Sequence, residues 1–236
     1  MIPWTLIDTA KVPGDGGELR LLRRGAEFSI RLGYNELMNS RAHGSEEALA
    51  KIGCARIEDR AAPRILIGGL GMGYTLRAAL DATSAKAHVV VAELVPAVVA
   101  WNRGPLADIS QRSLADGRVR IREVDVASLL RTERSAYDAI LLDVDNGPEA
   151  LSHKTNDWLY DFAGLGAAKA ALRPGGVLAV WSAGPDRNFT RRLRQVGFEV
   201  DEVRIRARGA GGGGAHHIVW IAARADGVAK YQAGTP

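Results

Sequence analysis

Apolar and polar positions follow two regimes along the chain. In the first forty residues they come in short alternating or clustered runs, "WTLIDT" at 4–9, "ELRLLR" at 18–23 and "AEFSIRLG" at 26–33, separated by turn signals such as "PGDGG". Runs of this length between glycine and proline predict antiparallel strands, a small β extension. "GSEEALAKI" then predicts a helix with Ser45 as N-cap.

From residue 64 the pattern becomes an alternation of buried strands and helices. "RILIGG" is a strand, Tyr74 to Ala82 a helix, and "AHVVVAEL" a strand. "VPAVVAWNR" is a helix with Pro96 in its first turn, where a missing N–H breaks no bond. "GRVRIREVD" alternates, "VASLLRTE" is helical, and "YDAILLDVD" is an apolar strand ending in acids. A long helix is expected over "TNDWLYDFAGLGAAKAALR", stopped by "PGG", then a strand "GVLAVWS" and a helix "RNFTRRLRQVG". "FEVDEVRIRA" and "HHIVWIAAR" predict two last strands around the "GAGGGG" loop, joined without a helix and so antiparallel.

Strand–helix alternation implies right-handed parallel crossovers. With the closing hairpin, it predicts an α/β fold of class I methyltransferase (Rossmann-like) type: a mostly parallel seven-stranded sheet with a small N-terminal antiparallel β extension. The expected division is residues 1–55 for the extension and linking helix, and 56–236 for a nucleoside-binding core.

Composition narrows the setting. The chain has 236 residues, 47% hydrophobic and 25% charged, ordinary for a soluble globular protein. No apolar stretch reaches the roughly 18 residues of a membrane span, and the first residues carry no secretory pattern. One cysteine, Cys54, excludes an internal disulfide and leaves no zinc-type motif. A reducing cytoplasm and no metal are the expectations. The net charge of +4 and a pI near 9.4 admit a nucleic-acid partner. The basic residues are scattered and free of aromatic interleaving, however, which points to a solvated surface.

In an open parallel sheet, ligands bind beyond the carboxyl ends of the strands at the switch point. There lie Gly68, Gly69, Gly71 and Gly73. Their G-x-G-x-G spacing departs from the dinucleotide G-x-G-x-x-G and matches that usual for S-adenosylmethionine sites. Glu93 ends the next strand, placed to accept both ribose hydroxyls. Asp125 follows the third strand, where a carboxylate can accept from the adenine amino group. Asp143 and Asp145 follow the fourth. Two close acids repel, so one can take a raised pKa suited to a general base. "DNGP" is also plain turn chemistry.

The segments "LIGGLGMGYTLRAAL", "VAELVPAVV", "VDVASLL", "YDAILLDVDNGPEAL" and "LRPGGVLAV" resemble the spermidine synthase-like branch of the S-adenosylmethionine fold, over about residues 30–200. The resemblance implies ribose binding by Glu93, adenine binding by Asp125, and Asp143 as the base that takes the amine proton. A homodimer is also among its implications. Three departures matter. The family's G-G-G-D-G-G loop reads "GGLGMGYT", with Met72 in the region of the aspartate that meets the aminopropyl ammonium. Its Tyr-His-Glu run reads Ser45-Glu46-Glu47. Its D-x-x-D-P-x-G-P loop shortens to Asp143-Val144-Asp145-Asn146-Gly147-Pro148.

A buried ammonium without its carboxylate is expensive, whereas loop N–H groups can donate to the carboxylate of intact S-adenosylmethionine. The sequence therefore favours methyl transfer to a small, possibly amine, acceptor. Aminopropyl transfer from decarboxylated S-adenosylmethionine is the alternative, and an RNA or protein methyltransferase and a non-catalytic nucleoside-binding protein are further rivals. Among other candidates, His216 and His217 alternate on a strand, so one at most faces the cleft, and a surface position is the simpler reading. His43, with Glu36, Asn39, Arg41 and Glu46 nearby, can line an acceptor mouth or form a plain capping loop. Trp158 and Tyr160 can wall it or pack in the core. Trp181 is expected to pack at its strand end, and Cys54 to be inert core.

Overall fold

The computed structural model describes residues 2–14, 16–144, 157–207 and 215–225. The first forty residues form an antiparallel sheet in the order β1-β2-β3-β4, from β1 (Thr5–Lys11), β2 (Glu18–Arg24), β3 (Glu27–Leu32) and β4 (Asn35–Asn39). Strand β4 was not expected. Its sequence, "NELMN", is too short and polar to show alternation, and pairing with β3 makes it a strand. One face of this sheet is apolar: Leu19, Leu21, Phe28 and Ile30 are buried and continue into the core of the second sheet.

Helix α1 (Gly44–Ala55) follows. Its N-cap is His43 rather than Ser45, and no side chain caps it. Ser45 lies one position inside the helix, fully buried, with its hydroxyl committed elsewhere.

The second sheet contains β5 (Arg64–Gly68), β6 (His88–Ala92), β7 (Val119–Arg122), β8 (Tyr137–Leu142), β9 (Leu172–Ser182), β10 (Glu199–Arg206) and β11 (His216–Ala223). Its order is β10-β11-β9-β8-β5-β6-β7, with β5 to β9 parallel and the β10–β11 hairpin antiparallel. The expected mostly parallel seven-stranded sheet with its antiparallel extension is therefore present. The central strands are apolar throughout because helices cover both faces: every residue of β8 is buried, and all of β5 after Arg64. These helices are α2 (Tyr74–Asp81), α3 (Pro96–Arg103), α4 (Val126–Thr132), α5 (Asp157–Tyr160), α6 (Phe162–Ala171) and α7 (Arg187–Val196).

The single long helix expected over 155–173 is instead two. Asp161 is extended and caps α6, its carboxylate accepting from the Gly164 amide at 2.8 Å. Gly164 packs so tightly on the Trp158 carbonyl that a Cβ would not fit there. Residues from Leu172 onward pair with β8 and belong to β9, so the helix ends before "RPGG". Among the described residues, no helix is long and apolar enough to cross a membrane.

Candidate active site

Where β5 and its neighbours end, a cavity of about 540 Å³ opens between the two sheets, within the range of small-molecule sites, roughly 300–1,000 Å³. One wall comes from the strand ends of the parallel sheet. The other comes from the β extension, α1 and β11.

The first wall is built on backbone. Gly69 and Gly71 line the cavity, both at positive φ (87° and 52°), a conformation that glycine adopts without strain. A Cβ on Gly69 would collide with the Asp143 carbonyl, and one on Gly71 would come within 2.5 Å of Met38. Gly68 and Gly73 do not line the cavity. They make room for packing instead, Gly68 against Leu142 and Val126, Gly73 against Ser110. Asn102 Nδ2 donates to the Gly71 carbonyl at 2.8 Å and holds the loop to α3. Met72, in the region of the family's loop acid, points away: it is fully buried in the core and absent from the cavity lining.

Glu93 ties this wall together. Its two carboxylate oxygens accept from the Leu70 amide (2.9 Å) and the Val95 amide (2.8 Å), fixing the carboxylate between the glycine loop and α3 while it lines the cavity. Asp125 caps α4, accepting from the Ala127 amide at 2.8 Å, and also lines the cavity. Thr75 Oγ1 donates to Asp143 Oδ2 at 2.5 Å. Burial nevertheless raises the Asp143 pKa above the ordinary carboxylate range, with the Thr75 bond opposing it.

The second wall is assembled from distant segments. Leu19, Ile30, Leu32, Leu37 and Met38 give it an apolar surface. Glu36 stands at this wall, accepting from Ser29 Oγ (2.7 Å) and Asn39 Nδ2 (2.8 Å). Glu46 enters from α1 and is 7% exposed; burial and then the charge of Asp143 raise its pKa toward neutrality. His217 enters from β11, with its ring edge-on to Trp181 (4.8 Å), and burial, then His216, lower its pKa. Five carboxylates thus face the cavity, from Glu36, Glu46, Glu93, Asp125 and Asp143, with no lysine or arginine among the described lining residues.

Comparison with known proteins agrees with this architecture. No protein-family model matches the chain. A curated relative, polyamine aminopropyltransferase 1 of Streptomyces coelicolor, is 32% identical over 123 residues, which are 51% of this chain and 22% of the relative. The matched region thus spans about a fifth of that relative's length. The solved spermidine synthase of Thermotoga maritima superposes with a TM-score of 0.74 at 18% identity, covering 93% of this chain and 72% of that one. A Burkholderia thailandensis 1,6-didemethyltoxoflavin-N1-methyltransferase superposes with a TM-score of 0.55 at 20% identity, covering 78% and 80%. This chain has the spermidine synthase-like fold.

Within that fold the expected site residues divide. Gly69, Gly71, Glu93, Asp125 and Asp143 converge on the cavity, whereas Gly68 and Gly73 stand behind it. Asp145, the "DNGP" turn and the "GAGGGG" loop lie outside the described residues. His43 does not line the cavity. Its ring stacks on Tyr74 (4.2 Å) and its Nδ1 lies 2.9 Å from Glu47. Arg41 is exposed and turns to Glu27 at 3.7 Å, while Asn39 and Glu36 do line the cavity. Trp158 lies under Arg131, and Tyr160 packs against Phe189 in the core, so neither walls the cavity. Trp181 ends its strand as expected and also faces the cavity. Cys54 is buried, its thiol pKa pushed up to about 12 by burial, which keeps it unreactive.

His217 is the clearest correction: the simpler surface reading fails, because the register of β11 turns it inward while His216 stays exposed. Glu46, expected beside His43 as part of an acceptor mouth, lines the cavity although His43 does not. Among the described residues, no group of three or more histidines, cysteines and acids is placed to hold a metal ion.

Proposed function

We propose that the chain is an aminopropyltransferase that uses decarboxylated S-adenosylmethionine and a small amine acceptor. The observation carrying this reading is the cavity's charge: five carboxylates and no described cationic side chain. The decarboxylated donor brings a sulfonium and an ammonium, and an amine acceptor brings further positive charge. Each finds a carboxylate there. Intact S-adenosylmethionine would bring its own carboxylate into the same acidic, partly dry space, where an unpaired charge is expensive. The methyl-transfer expectation rested on the missing loop acid. The acids of Glu46 and Glu36 answer it from α1 and β4, and the name of the Streptomyces relative points the same way.

In this reading the open backbone at Gly69 and Gly71 receives the donor, Glu93 accepts from its ribose hydroxyls, and Asp125 accepts from its adenine amino group. Asp143 takes the proton that the acceptor amine must lose. The nitrogen's freed pair attacks the carbon beside the sulfonium. The carbon–sulfur bond breaks with its pair going to sulfur, leaving a neutral thioether. Positioning two reactants in line inside a water-poor cavity supplies most of the acceleration.

The test is product identification by mass spectrometry after incubation with each donor and a panel of amines. 5′-Methylthioadenosine together with an N-aminopropyl amine is the expected outcome. S-Adenosylhomocysteine with a methylated acceptor would establish methyl transfer instead. Donor binding without either product would leave a nucleoside-binding protein.

A further inference from the structure

Glu46, to which the reaction just described gives only a charge to set against an ammonium, is held in a short chain of buried hydrogen bonds. Ser45 Oγ donates to Glu46 Oε2 at 2.7 Å, and Ser45 Oγ itself lies 2.9 Å from His217 Nδ1. A hydroxyl has one hydrogen. With it given to the carboxylate, His217 donates through Nδ1–H to Ser45. Ser45 is fully buried, so water does not compete for either bond. Both ends of the chain, Glu46 and His217, line the cavity. Trp181, on the same wall, keeps a buried indole N–H with no acceptor among the described residues.

The groups that face Glu46 come from every element packed around it. They are Asp143 beyond β8, Glu47 on α1, Thr75 and Tyr74 on α2, and His217, through Ser45, on β11. Arg77 is the nearby cation in this set, and it pairs with Glu47. Two carboxylates in one dry pocket do not both stay ionised without a counter-charge, and an arriving ammonium supplies it.

We propose that Glu46 is a second proton-accepting group for the acceptor amine, with Ser45 and His217 as positioning residues that hold its carboxylate at the cavity. The inference rests on the aminopropyl-transfer reading. An acceptor that arrives as an ammonium loses two protons on its way to the neutral secondary amine: Asp143 takes one, and for the other an N–H bond breaks with its electron pair staying on nitrogen. The proton forms an O–H bond on the Glu46 carboxylate, and it leaves to water after the transfer.

The experiment measures kcat/KM against pH with decarboxylated S-adenosylmethionine and 1,4-diaminobutane, for the wild-type chain and the E46Q, S45A and D143N variants. Infrared titration of the ligand-free proteins reads the protonated-carboxyl band directly. E46Q is expected to remove an acid limb of the profile, lower the rate about 10- to 100-fold and remove one carboxyl band. S45A deletes a hydrogen bond to the ionised form. It should move limb and band upward by about one pH unit and lower the high-pH rate less than E46Q does, a shift in the profile that a purely structural role would not produce. An unchanged E46Q profile alongside an inactive D143N overturns this inference and leaves the aminopropyl reading standing. Absence of turnover with any amine overturns both, and the infrared band then shows whether Glu46 still holds a proton near neutrality.

Discussion

The two walls of the cavity are built in opposite ways. The wall that the proposed reaction gives to the donor, hereafter the donor wall, belongs to one stretch of alternating strands and helices, residues 64–143, and each polar group on it is pinned by a neighbouring backbone amide or hydroxyl: Glu93 by Leu70 and Val95, Asp125 by Ala127, Asp143 by Thr75. The opposite wall, which the same reading gives to the acceptor, draws Glu36, Glu46 and His217 from three elements, with Ser45 bonding across 172 residues of chain to His217. In the aminopropyl-transfer reading the donor meets a locally encoded wall, and the acceptor meets a wall whose side chains come from separate segments. Changes on the donor wall should therefore weaken donor binding or break the loop, and changes on the acceptor wall should alter turnover and its pH dependence.

The largest expected effect is at the point where the walls meet. Asp143→Asn keeps the shape and a bonding partner for Thr75 but removes the carboxylate proposed to take the amine proton. Turnover should fall ~10²–10⁴-fold in a steady-state assay, with calorimetric donor affinity changing far less. Glu93→Gln leaves one oxygen to serve both amides and the ribose. Loss of charged hydrogen bonds worth about 1.5–3 kcal/mol should raise the donor Kd by ~10- to 100-fold, with no shift in the pH profile. Gly69→Ala places a methyl against the Asp143 carbonyl at positive φ. The strain, about 1–3 kcal/mol, should lower Tm by several degrees and reduce donor binding with it.

The smallest effect separates the walls by pH. Glu46 and Asp143 have folded pKa values above those of the unfolded chain. Their contribution to stability is therefore fully present below about pH 4 and is lost as pH rises through their folded values toward neutrality. Glu27 and Asp116 are held low by Arg24 and Arg118 and act in the opposite sense, at more acid pH. The difference in Tm between wild type and E46Q isolates the Glu46 part. E46Q should lose less stability than wild type between pH 5 and pH 8 in thermal melts without ligand.

What was legible in the sequence follows the same division. The parallel core and the placing of Gly69, Gly71, Glu93, Asp125 and Asp143 follow from local patterns, because a loop after a strand of known direction can open only at one edge of the sheet. Met72 was misleading: it stands in the region of the family's loop acid, and the missing acid argued for methyl transfer, but its side chain is fully buried in the core. β4, the break at Asp161, the cap of α1 and the inward turn of His217 depend on tertiary partners that no window of sequence contains. Glu46 was legible as one of the residues near His43 that can line an acceptor mouth, but not as the one of two adjacent acids that enters the cavity. That Glu47 pairs with Arg77 and leaves Glu46 to the cavity is decided by how α1 packs on α2.

Calorimetric titration of the nucleoside-free protein with decarboxylated and with intact S-adenosylmethionine tests the central claim most directly. An acidic cavity predicts that the decarboxylated donor binds tighter by about tenfold or more, the 1.4 kcal/mol or greater expected for keeping a carboxylate out of that space. Equal or tighter binding of the intact donor would contradict the aminopropyl reading and return the glycine-loop amides to the role of carboxylate acceptor.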